Sequence, residues 1–243
     1  MNSHHDLDSA IDRWFREDIG EGDHTTFSTI PADASGSAKL LVKEAGILAG
    51  HQIARRIFQR FDPETALHSL MEDGSSISPG DVEVRVKGKV HSILQCERLV
   101  LNVMQRMSGI ATTTAAYEKR LEGTGTKILD TRKTTPGMRF LEKEAVRIGG
   151  GVNHRFGLYD MILIKDNHID FAGGIRQAIS ATKTYLKEKK LALDMVVEAR
   201  SLADIEVVLS MSGIRRILLD NFSVEETRQA VQLIDRRVET ESS

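Results

Sequence analysis

The chain has 243 residues, 40% hydrophobic and 28% charged, an ordinary globular balance with enough length to bury a sizeable core. Its formal net charge of -2 argues against a nucleic-acid binder, whose surface is strongly basic, and leaves room for a locally basic pocket. The single cysteine, Cys96, excludes an internal disulfide and a multi-cysteine zinc cluster and suits a reducing cytoplasm.

The N-terminal stretch MNSHHDLDSAIDRWF has no basic region followed by an apolar run, so no secretory leader is expected. No run of apolar residues is long enough for a membrane span. His4 and His5 could pair on a metal, but a frayed tail is the expected role. Residues 6 to 18 predict an amphipathic helix, with Leu7, Ile11, Trp14 and Phe15 on one face. The following EDIGEGDHTT predicts a loop. Ser37 to Glu44 predicts a strand, His51 to Phe61 a helix, and Thr65 to Met71 and Val82 to Val86 two further strands separated by the turn SPGD. This β-α-β-β order suggests a small α/β layer with an antiparallel sheet.

Gln95 to Leu121 predicts a long helix with Leu99, Val103, Met107 and Ile110 as its apolar stripe. Within it, Ser108-Gly109 would kink the helix or admit another backbone. Cys96 lies in its apolar stretch SILQCERLVLNVM, as a buried structural thiol. Beyond residue 125 the pattern changes. Short apolar runs at Lys127 to Leu129, Met161 to Ile164, Leu193 to Val197 and Arg216 to Leu219 alternate with helices near 138–148, 174–187, 202–211 and 224–234. Such alternation predicts parallel strands with crossover helices.

Each of those runs delivers charge at its C-terminal end: Asp130-Thr131-Arg132-Lys133, then Lys165-Asp166-Asn167-His168, then Glu198-Ala199-Arg200, then Asp220-Asn221. Any one strand can end in polar turn residues. Four in succession point to a site, because α/β barrels build their sites at that end. The segment Gly149-Gly150-Gly151-Val152-Asn153-His154-Arg155 adds backbone freedom beside two more basic groups. Arg132, Lys133, His154, Arg155, Lys165 and His168 suit carboxylates and phosphates. Glu198 and Asp220 suit Mg²⁺ and sugar hydroxyls. Structural ion pairs across the strand ends are the plainer alternative.

Five segments carry a resemblance to a known family: EDIGEGDHTT, ERLVLNVMQRMSGIAT, DTRKTTPGMR, GGGVNHRFGLYDMILIKDNHI and LLDN. In this order they resemble the quinolinate phosphoribosyltransferases, from about residue 17 to the end of the chain. The resemblance implies a type II phosphoribosyltransferase fold: an N-terminal α/β sandwich-like domain over residues 1–94 and an incomplete α/β barrel over residues 95–243. It implies decarboxylating transfer from phosphoribosyl pyrophosphate to quinolinate, with Mg²⁺, by a cytoplasmic homodimer or a hexamer built from three dimers. Arg132, His154, Arg155 and Lys165 would meet the quinolinate carboxylates, and Arg98 would reach the neighbouring subunit's site. Lys133 would hold the sugar donor, and Glu198 and Asp220 would face its ribose and Mg²⁺, with His168 and Asn167 nearby.

In the family a strand of the form LEASGGI follows the LLDN-helix unit, and Glu241-Ser242-Ser243 resembles its start. The expected 5′-phosphate cradle would then lie past Ser243. Either this sequence is part of a longer protein, or the product is short, poorly stable and little active. Two rivals stay open: a homologous protein encoded with molybdate transporters, and an inactive relative acting as a binding scaffold.

Overall fold

A computed structural model describes residues 3–243, with nothing said of the side chains of residues 3–6 and 83. The side chains of His4 and His5 therefore lie outside the described residues. The chain divides into two units, one ending at His154 and the other running from Arg155 to Ser243.

The first unit opens with α1 (Ser3–Ile19) and α2 (His24–Thr29). The loop expected over residues 17–26 is shorter than the sequence suggested. The Asp23 carboxylate accepts from the Thr26 N–H at 3.0 Å and caps a six-residue helix too brief for any periodicity to reveal. Next come β1 (Ser35–Leu41), β2 (Gly46–Ile47), α3 (His51–Phe61), β3 (Ala66–Ser69), β4 (Ser76–Ile77) and β5 (Val82–Lys89). β5 is central, with β1 and β3 antiparallel on either side. Val84 and Val86 turn inward from it, as the alternation predicted. The pair β2–β4 is antiparallel and was not foreseen, since two residues carry no pattern.

The long helix α4 (Val90–Arg120) begins five residues before its expected start and crosses the boundary expected between residues 94 and 95 without a break. No break occurs at Ser108-Gly109 either. Instead the Ser108 hydroxyl accepts from Ala49 N–H (2.9 Å) and the Thr112 hydroxyl accepts from Ile47 N–H (2.8 Å). The 46–50 backbone thus approaches α4 closely. A side chain at Gly46 would strike Thr112, with its Cβ only 2.5 Å from Oγ1. α5 (Arg139–Ile148) closes the unit. One core unites α1, α3, α4, α5 and the inner face of the sheet, through residues such as Ile11, Ile57, Val86, Met107 and Leu141.

No strand forms at Lys127 to Leu129. Only Leu129 bridges, in parallel, to Val152. The Ile128 N–H is taken by the Glu118 carboxylate (2.7 Å), so the ladder cannot extend backward. Two of the three glycines that follow α5 serve packing. A Cβ on Gly149 would lie 2.5 Å from Ala111 O, and one on Gly151 would lie 2.9 Å from Thr114 Cγ2. Close approach accounts for Gly149 and Gly151, and the backbone freedom expected of the segment is used at Gly150, whose φ is 95°.

The second unit alternates β6 (Ile162–Ile164), α6 (Asp166–Ala172), α7 (Ile175–Lys189), β7 (Met195–Ala199), α8 (Leu202–Leu209), β8 (Arg216–Leu219), α9 (Val224–Ile234) and β9 (Glu239–Ser242). The four strands are parallel and adjacent in chain order, the sequential winding of an α/β barrel wall. Every residue of β7 is buried, as for a parallel strand covered on both faces. Helix α6 was missed: it starts directly at the strand end, buries only Ile169 and stops at Gly173, whose φ of 84° favours glycine. α7, α8 and α9 fall within two residues of expectation at each end.

Candidate active site

In the first unit the DTRKTTPGMR loop is braced from below. Arg139 donates to Thr134 Oγ1 (3.0 Å) and to the Arg132 carbonyl (3.3 Å). Glu142 accepts from the Thr135 N–H (3.3 Å) and from Arg106 Nε (2.8 Å). Lys133 is exposed and Arg132 half-buried. The Arg132 Nε is buried without a hydrogen-bond partner among the described residues. A guanidinium donor left open in this way suits an incoming carboxylate. His154 is half-buried at the end of the same unit, and its N–H donates to Asp130 Oδ1 at 2.8 Å.

Arg98 is exposed on α4 and lines a cavity of about 830 Å³ with Trp14, Asp18, Asn102, Arg106 and Met138. It makes no part of the loop's bracing. Its position on the solvent face fits a role outside its own unit's core.

In the second unit the sequential sheet brings three predicted residues to neighbouring strand ends. Lys165 follows β6, Glu198 is the penultimate residue of β7, and Asp220 follows β8. Register confirms the adjacency: Glu198 pairs with Leu218, two residues before Asp220. Glu198 is only 5% exposed and accepts from the Asp166 N–H at 3.1 Å. Burial pushes its carboxyl above the usual range. The Asp166 N–H opposes that shift, the charges of Asp220 and Asp166 reinforce it, and Lys165 opposes it.

The other predicted groups of this unit are ordered as well. His168 Nδ1 accepts from the Lys165 N–H (2.9 Å), which places the proton of the neutral ring on Nε2. Asn167 is exposed beside it. Arg155 is 8% exposed and donates to the Met161 carbonyl (3.2 Å). Asp220 accepts from the Asn221 amide (2.9 Å), and Asn221 takes a left-handed φ of 57°. Arg200, which also ends a strand, is instead paired with Asp170 at 2.8 Å. For this residue the plain ion-pair reading holds, as it does for Asp130, which pairs with Lys143.

Among the described residues no group of three carboxylates, histidines or cysteines could hold a metal alone. Glu198 and Asp220 nonetheless fit Mg²⁺ in the form it usually takes with phosphates, bound through one or two carboxylates, waters and the substrate's own oxygens. A cation there would relieve the crowding of carboxylates that raises Glu198.

Sequence reasoning missed Asp166, whose N–H holds Glu198, and the braces Arg106, Arg139, Glu142 and Lys143. Glu142 and Lys143 are buried charges on an amphipathic helix. Their burial emerges only from the fold, where each is matched by a partner, as buried charges usually are.

Comparison with known proteins agrees with this geometry. Residues 23–108 match the family described as the N-terminal domain of quinolinate phosphoribosyl transferase, and residues 110–243 match its C-terminal domain. A quinolinate phosphoribosyltransferase [decarboxylating] of Nicotiana tabacum is 43% identical over 98% of this chain and 72% of its own. The chloroplastic nicotinate-nucleotide pyrophosphorylase [carboxylating] of Arabidopsis thaliana is likewise 43% identical over 98% of this chain and 72% of its own. Among solved structures, NadC from Streptococcus pyogenes superposes with a TM-score of 0.92 at 40% identity, covering 98% of this chain and 82% of that one. The nicotinate-nucleotide pyrophosphorylase of Francisella tularensis gives 0.91 at 35% identity, over 98% and 83%. The chain belongs to the quinolinate phosphoribosyltransferase family.

Proposed function

We propose that this chain transfers phosphoribosyl from phosphoribosyl pyrophosphate to the ring nitrogen of quinolinate and releases CO₂, pyrophosphate and nicotinate mononucleotide, a step of NAD biosynthesis. The observation that carries this reading is the row of charges at the ends of β6, β7 and β8, where buried Glu198 lies beside Asp220 and Asp166. Such a row accommodates a cationic sugar centre and a metal-bound diphosphate. The open Arg132 donor accommodates a carboxylate.

Arg132, His154, Arg155 and Lys165 are assigned to the quinolinate carboxylates, and Lys133 to the sugar donor. Holding both carboxylates aims the ring nitrogen at C1 of the ribose, so positioning supplies much of the acceleration. The C1–oxygen bond to pyrophosphate breaks as the nitrogen–C1 bond forms. Mg²⁺, when bound at Glu198 and Asp220, neutralises charge on the leaving diphosphate. Lys133 adds a fixed cation on the same charge, and Glu198 and Asp220 stabilise the positive ribose. The quaternised ring then takes up the electron pair left by CO₂, and that carbon is protonated. His168 and Asn167 are assigned a place beside the donor.

Arg98 is assigned to the site of a neighbouring copy in a homodimer, or in a hexamer built from dimers. No described helix is long and apolar enough to cross a membrane, and a cytoplasmic location is proposed. The names of the relatives reported above favour this reaction over the molybdate-associated and inactive-scaffold readings.

Incubating the chain with quinolinate, phosphoribosyl pyrophosphate and Mg²⁺ tests the proposal. Equimolar CO₂ and nicotinate mononucleotide are expected. Quinolinate binding without turnover would favour the scaffold, and absence of both would overturn the reading.

A further inference from the structure

A buried ion pair in the first unit takes no direct part in the chemistry above. Lys143 on α5 and Asp130, next to the Leu129 bridge, have side chains only 3% and 6% exposed, and they are bonded to each other. Removing two charges from water is costly and is tolerated only where the remaining hydrogen-bonding capacity is used. Here the hydrogen bonds the pair makes beyond its own go to one short segment. Asp130 Oδ1 accepts from the His154 N–H at 2.8 Å. Lys143 Nζ donates to the His154 carbonyl at 3.0 Å. The Asn153 amide, turned to donate, reaches Asp130 Oδ2 at 2.7 Å and the Lys143 carbonyl at 2.9 Å. The pair therefore grips residue 154 by both of its backbone polar groups, and residue 153 by its side chain.

We infer that Lys143 and Asp130 are positioning residues that aim His154, and through it the quinolinate-binding end of the site, without touching substrate. The inference rests on the proposed role of His154 in quinolinate binding. It predicts a selective effect. The Arg132–Thr135 loop that carries Lys133 has its own braces in Arg139 and Glu142. Loss of the pair should therefore release His154 while leaving the sugar-donor residue held. A purely structural pair would instead weaken both substrates together, or neither.

The test compares wild type with two variants, reading melting temperature and separate KM values for quinolinate and phosphoribosyl pyrophosphate. Asp130→Leu/Lys143→Met replaces the pair with apolar side chains, a change that buried pairs often tolerate. It removes both grips on residue 154. Asp130→Asn keeps a side-chain oxygen to accept from the His154 N–H and serves as the conservative rescue. The expected result is a rise in quinolinate KM of about tenfold or more in the double variant, the scale set by small misplacements of a binding group. Asp130→Asn should show a smaller rise, and neither variant should move the phosphoribosyl pyrophosphate KM appreciably. A folded double variant with wild-type quinolinate KM overturns the inference, as does an equal loss for both substrates. Should the double variant fail to fold, Asp130→Asn decides: a selective rise supports the inference and an unchanged quinolinate KM overturns it. A wild-type chain that turns over neither substrate fails the functional reading itself, a result separate from any difference between variants.

Discussion

Asp130, next to the isolated Leu129 bridge of the first unit, and Glu198, near the end of β7 in the second, are both buried carboxylates, yet they keep opposite company. Asp130 faces a buried ammonium and three hydrogen-bond donors in all. Its charge is matched within the fold. Glu198 receives one backbone N–H and lies close enough to Asp220 and Asp166 for their charges to raise its pKa. From within the chain only the Asp166 N–H and Lys165 favour its charge, and burial with the nearby carboxylates outweighs them. A carboxylate satisfied by its own protein reports architecture, whereas one held at a cost reports a site.

That contrast is strongest when each partner is removed. Lys143→Met strands the Asp130 charge in the interior and should destabilise the chain by about 3–5 kcal/mol, measured by urea denaturation. A loss below about 1 kcal/mol, the range of exposed pairs, would erase the distinction.

Glu198→Gln should act in the other direction. The folded state raises the Glu198 carboxyl above its ordinary value, so folding favours the protonated form. Its contribution to stability is complete below the ordinary carboxylate range and is lost as pH rises through the raised folded value. At neutral pH the neutral glutamine escapes that cost. Its melting temperature should exceed that of wild type at pH 7, converge with it in acid, and be accompanied by loss of turnover. A lower melting temperature at pH 7 would contradict the account.

Smaller effects mark the ordinary framework. Ser201 caps α8 by accepting from the Asp204 N–H at 3.2 Å. Ser201→Ala should cost about 1 kcal/mol, read as a lowered denaturation midpoint. Cys96 is fully buried, and burial pushes its thiol up to about 12. It should not react with a disulfide reagent near neutral pH until the chain unfolds, because the thiolate is the reactive form.

The sequence made the second unit legible because its central strands β7 and β8 are largely buried apolar runs and each long helix carries an apolar stripe. Lys165, Glu198 and Asp220 followed directly, since strand ends locate themselves once the strands are found. The first unit was harder. Its two-residue strands and the six-residue α2 hold no periodicity. The 127–129 run looked like a strand but lost its ladder to the Glu118 side chain. The glycines at 149–151 promised backbone freedom, and only the fold shows that Gly149 and Gly151 also make room for close neighbours. Lys143 was invisible for a related reason: a lysine on an amphipathic helix normally marks the solvent face, and its burial appears only when Asp130 is brought against it from thirteen residues away.

The account assigns the two substrates to different groups, and calorimetric titration of each substrate onto two variants tests that assignment most directly. Arg132→Ala should weaken quinolinate by roughly tenfold to a hundredfold, the scale of charged hydrogen bonds, while Mg²⁺-bound phosphoribosyl pyrophosphate binds nearly as before. Glu198→Gln should do the reverse. Equal weakening of both substrates in each variant, or an exchange of the two patterns, would contradict it.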